Sequence, residues 1–71
     1  MIVRLIIDGI LHKVIVRRDS NQKDRIARIH TLENKPVSVL RELANIPGLF
    51  IDTSKPEERY LLRPGSMTRL N

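Results

Sequence analysis

MIVRLIIDGILHKVIVRR, residues 1–18, decides how the chain begins. Two β-branched and apolar runs, Met1 to Ile7 and Ile10 to Arg17, flank the dipeptide Asp8-Gly9. A two-residue type I′ turn needs positive φ at both central positions, which Asp tolerates and Gly adopts freely, and its twist suits the flanking strands. The reading is therefore a β-hairpin with a fixed register: Ile7 opposite Ile10, Leu5 opposite His12, Val3 opposite Val14 and Met1 opposite Val16. That face is almost wholly apolar. The other face sets Ile2, Arg4 and Ile6 against Ile15, Lys13 and Leu11, so it is half apolar and carries two directly opposed cations. An isolated two-stranded ribbon is marginal in water, so the hairpin needs cover from the rest of the chain, and the second apolar set predicts a symmetric homodimer.

Downstream, residues 17–35 are rich in both signs of charge, and their periodicity fits two readings. As a helix from Asp19 or Ser20, the segment puts Ile26, Ile29 and Leu32 on one side, and Gln22, Lys23, Arg25, Ala27 and Arg28 are good helix formers. As a strand, Arg25 to Leu32 extends the hairpin into a three-stranded meander across a loop at residues 20–23. The helix is the preferred reading. Asn34-Lys35-Pro36 reads as a turn into a second helix over 36–46, with Pro36 in its first turn, an apolar half from Val37, Val39, Leu40, Leu43, Ala44 and Ile46, and a polar half from Ser38, Arg41, Glu42 and Asn45. Pro47-Gly48 ends it. Leu49 to Thr53 and Arg59 to Arg63 then form a second hairpin around residues 54–58, and the tail from Ser66 to Asn71 frays unless Met67 and Leu70 dock.

The expected fold class is α+β in one domain spanning residues 1–71: an N-terminal hairpin, one or two helices and a second hairpin. Either a small sheet backed by helix or a reduced winged helix fits that order, and a ubiquitin-like roll is a third shape. Seventy-one residues lie near the lower limit for a single core without cross-links, and there is no cysteine, which removes disulfides, Cys-ligated zinc, iron–sulfur clusters and thiol nucleophiles. The absence of a long apolar run and the placement of Arg4 and Asp8 suggest a soluble, cytoplasmic protein without a signal peptide or membrane partner.

The chemistry follows charge. The formal net charge is +5, and residues 1–36 hold eight basic and four acidic side chains against five and four in the remainder. Such a field favours nucleic acid or an acidic protein surface. The expected nucleic-acid-binding residues are Arg4, Lys13, Arg17, Arg18, Lys23, Arg25, Arg28 and Arg41. One Tyr and one Phe leave no stacking platform for single strands, so duplex DNA or RNA is the expected target. In a helix-turn-helix, Ser38, Arg41, Glu42 and Asn45 would meet the major groove, although that face has no net charge. The alternative is a non-enzymatic interaction module, an adaptor or inhibitor acting through the apolar hairpin. Catalysis, cofactor and metal sites are not expected. His12 and His30 lack metal-ligand spacing, no glycine-rich phosphate loop is present, Asp8 is explained by its turn, and His12 suits a sheet margin bonded to a backbone carbonyl.

Overall fold

Seven strands close into one barrel in the computed structural model, which describes residues 1–21 and 23–70. They are β1 (Ile2–Ile7), β2 (Ile10–Arg18), β3 (Arg25–His30), β4 (Pro36–Glu42), β5 (Leu49–Asp52), β6 (Lys55–Arg63) and β7 (Ser66–Leu70). Each strand pairs antiparallel with the next. An odd number of strands in an up-and-down meander leaves the first and last pointing the same way, and β1 and β7 accordingly close the barrel in parallel.

The opening hairpin forms in the expected register, from Ile7 opposite Ile10 to Val3 opposite Val14. Val16 N–H donates to Met1 O at 2.8 Å, extending it to the first residue. Asp8 (φ 51°) and Gly9 (φ 78°) both lie in the left-handed region that the turn requires. A Cβ on Gly9 would meet nothing within 4 Å, so Gly9→Ala isolates the backbone term. Urea unfolding of that variant should show a loss of about 1 kcal/mol without a change in slope.

No helix forms among the described residues, and this overturns the α+β expectation. Residues 25–30 take the strand alternative, with Ala27 and Ile29 fully buried and Arg28 exposed between them. Gln22, one of the residues favouring a helix there, lies outside the described residues. The 36–46 helix is replaced by β4, where Leu40 points in and Val39 and Arg41 point out, followed by a loop. Both periods are present in that stretch, and the choice falls to its context. Val37, Ser38 and Val39 are poor helix formers, and β3 and β5 offer hydrogen-bonding edges on both sides. Without that helix neither the winged helix, the helix-backed sheet nor the roll survives. The tail docks as β7, with Met67 buried, while Asn71 lies outside the described residues.

The inward positions fill the barrel. Val3, Leu5, Val14, Val16, Ala27, Ile29, Leu40, Phe50, Tyr60 and Met67 form one cluster, each 3% exposed or less. Tyr60 and Phe50 are the largest of the fully buried side chains, so the interior is a packed core rather than a ligand cavity. Register shifts at Ile29/His30 and Ile51/Asp52 bend the wall as closure demands.

Candidate nucleic-acid interface

Alternation along the strands sorts the charged residues. Because Val3, Leu5, Val14, Val16, Ala27, Ile29 and Leu40 point inward, their neighbours Arg4, Lys13, Arg17, Arg28 and Arg41 point outward. The register places Arg4 opposite Lys13, Ile15 between Ile2 and Arg28, and Ile26 between Arg17 and Arg41. Strand spacing and rise put Arg4, Lys13, Arg17 and Arg28 within a patch roughly 10 by 13 Å across β1 to β3. No outward position of β1 to β4 holds a carboxylate.

The carboxylates that end β4 and β5, Glu42 and Asp52, turn the other way, while Glu57 on β6 is exposed. Glu42 shares the inward side with Phe50, and its carboxylate accepts from Arg25 Nε at 3.0 Å, Arg25 Nη2 at 2.8 Å, Arg25 N–H at 3.2 Å and Gly48 N–H at 2.8 Å. The Arg25 guanidinium also sits 5.8 Å from the Phe50 ring centroid. The bonds from Arg25, with Gly48 adding to them, hold the Glu42 carboxyl down at about 2 against the penalty of burial. Asp52 is 4% exposed and accepts from Ser54 Oγ at 2.7 Å and Ser54 N–H at 2.9 Å, closing the β5–β6 turn. Burial pushes its carboxyl up, but the Ser54 bonds and Lys55 together bring it below the ordinary value. Tyr60 donates to Glu58 Oε1 at 2.8 Å, and burial followed by that bond pushes its hydroxyl up to about 12.

The eight sequence-predicted cations therefore divide. Among the described residues, Arg4, Arg17 and Arg28 make no side-chain hydrogen bond or ion pair. Lys13 Nζ donates to Asn34 Oδ1 on the β3–β4 turn, a neutral partner that leaves its charge uncompensated. Arg41 Nη1 lies 3.6 Å from Asp19 Oδ2, and Arg25 is committed to Glu42. Arg18 Nη1 donates to Lys23 O at 2.6 Å, which binds these two residues to each other at the β2–β3 loop. Comparison with protein-family models, curated proteins and solved structures finds no match. What the site does has to be argued from its own geometry.

His12 behaves as the margin histidine the sequence suggests, with Nδ1 2.8 Å from Ile10 O. No cluster of three metal-ligating side chains occurs among the described residues, and no helix there is long and apolar enough to cross a membrane. Sequence reasoning missed the inward carboxylates: Glu42 is assigned to the polar half of a helix, and Asp52 falls in the second hairpin with no inward role. Period-two alternation through Leu40 and Phe50 was the signal that would have turned both inward.

The opposition of Arg4 and Lys13 is softened by Asn34, which draws the lysine toward the β3–β4 turn. Lys13→Thr removes both the repulsion and the Asn34 bond, so its melting curve should shift by less than about 0.5 kcal/mol equivalent. Its affinity for duplex DNA should fall about three- to tenfold, the loss of one phosphate contact. Differential scanning fluorimetry and fluorescence anisotropy on one preparation check the pair of outcomes.

Proposed function

We propose that this protein binds the phosphate backbone of duplex nucleic acid, without enzymatic activity, through the outer wall of β1 to β3. The observation that carries the reading is the segregation of charge: Arg4, Lys13, Arg17 and Arg28 point outward with no carboxylate partner, while the carboxylates of Glu42 and Asp52 are turned inward and satisfied. Cations left unneutralised on one wall release counterions from a polyanion, and that release supplies most of non-specific binding. Phe50 and Tyr60 are both in the core, so no exposed aromatic ring offers a base a surface to stack on. Backbone contact with a duplex needs none, which favours duplex over single strand.

Four phosphate contacts imply that log K falls with log salt at a slope of about −3 to −4 for B-DNA. Anisotropy titrations of a labelled DNA duplex between about 50 and 200 mM salt measure that slope. Binding that does not respond to salt, or a single strand bound more tightly than the duplex, would contradict the reading.

A further inference from the structure

Residues 6–12 stand clear of the ladders that close the barrel. β1 pairs with β7 only at Arg4 and Leu5, and β2 meets β3 only from Lys13 onward, so between those limits the hairpin is a two-stranded ribbon. On the β1 side, β7 parts from it across an open groove of 540 Å³. Ile6 is 64% exposed, Ile10 63% and Leu11 41%, and Asp8 and Gly9 at the turn are exposed as well. Aliphatic side chains gathered on a projecting tip mark a contact surface.

The register joins this tip to the cationic wall. Ile6 lies opposite Leu11 and Arg4 opposite Lys13, all four on the outward face. The two pairs are two residues apart, about 7 Å along the strands. A two-stranded ribbon measures about 10 Å through its side chains, which suits the major groove of B-form DNA, about 12 Å wide, and exceeds the minor groove, about 6 Å wide. With the ribbon slanted into the major groove and its outward face toward the base pairs, Ile6 and Leu11 reach a floor about 8.5 Å deep while Arg4 and Lys13 stay at the phosphate-lined lip. Lys13 marks the limit of entry, because β3 widens the sheet from there.

The apolar pair has one complementary group on that floor, the C5-methyl of thymine. Asp8 argues for the groove over the backbone. Its carboxylate is repelled by phosphates, and the groove offers it a donor in the N4 amino group of cytosine. Duplex RNA bars the same entry, because its A-form major groove is deep and narrow and uracil lacks the methyl.

We propose that residues 6–12 enter the major groove of B-form DNA, where Ile6 and Leu11 pack on thymine methyl groups. The inference rests on the duplex reading of the β1–β3 wall and narrows it from any duplex to DNA containing thymine.

The test is fluorescence anisotropy at one fixed salt concentration with three labelled duplexes of one sequence: DNA, the same DNA with uracil in place of every thymine, and RNA. Burial of two methyl groups is worth about tenfold, so the wild-type protein should bind thymine DNA about tenfold more tightly than uracil DNA, and RNA more weakly still. The double variant Ile6→Ser, Leu11→Ser conserves charge and alters only exposed positions. It should bind thymine and uracil DNA alike, at the wild-type affinity for uracil DNA. Should that variant fail to fold in a melting scan, the wild-type comparison of the two DNA duplexes decides alone. Arg17→Ala should weaken both DNA duplexes by the same factor and keep their ratio. Equal wild-type binding of all three duplexes, with the steep salt dependence intact, overturns groove entry and leaves the backbone reading standing. Thymine discrimination that persists in the folded double variant also overturns it, and absence of duplex binding removes the backbone reading and this inference together.

Discussion

Glu42→Gln is expected to destabilise the barrel by about 3 kcal/mol, because it breaks a largely buried ion pair and leaves its partners behind. The Glu42 side chain is 10% exposed and that of Arg25 26%, so water replaces the lost bonds only in part. The carboxylate accepts four hydrogen bonds that tie the start of β3, the end of β4 and the turn at Gly48 together. Glutamine keeps the shape but has one acceptor oxygen in place of two and no charge for the guanidinium. The same contact predicts a pH dependence. Glu42 titrates at about 2 in the folded protein against an ordinary 4.5, so its contribution is complete above 4.5 and is lost as pH falls toward 2. The gap corresponds to stability on the order of 3 kcal/mol, in line with the substitution. Urea unfolding across that window should show wild-type stability falling with acid, and the Glu42→Gln curve should be flatter by most of that amount. Parallel curves would mean that the pair contributes nothing to folding.

Reversing Arg17 and Arg28 together to Glu is expected to abolish measurable duplex binding. Each reversal removes a phosphate contact and sets a carboxylate against the backbone, so a loss of more than a hundredfold is expected at about 0.1 M salt. Both side chains are exposed and unpartnered among the described residues, so melting should change little. Arg59 and Arg63, on β6, provide the control. Reversing that pair changes net charge equally but leaves the β1–β3 wall intact, so affinity should fall less than tenfold. If the two double variants bind alike, only net charge matters and the wall has no special role.

The hairpin was legible in the sequence because its information is local: Asp8-Gly9 prescribes a turn, the turn prescribes a register, and the register sets the outward side of Arg4 and Lys13. β3 and β4 were not legible in the same way. Ile26, Ile29 and Leu32 satisfy a helical period and Ala27 with Ile29 a strand period, and only the neighbouring strands, distant in sequence or yet to form, select between them. The same error displaced Glu42 and Arg41. Placed on a helix they share a solvent face, whereas adjacent strand positions send one to the Arg25 bond and the other outward. Net charge located the basic half of the chain, but it does not distinguish Arg25, held by Glu42, from Arg28, which is open. The β1/β7 seam has no local signature, since it joins residues 4–5 to residues 66–67.

The most direct test of the duplex-binding wall is its footprint. Adding a short DNA duplex to isotope-labelled protein at low salt should shift the amides around Arg4, Lys13, Ile15, Arg17 and Arg28 first and most. The amides of β5 to β7 should stay in place, and raising salt should reverse the shifts together. Shifts centred on β5 to β7, or spread evenly around the barrel, would contradict the account.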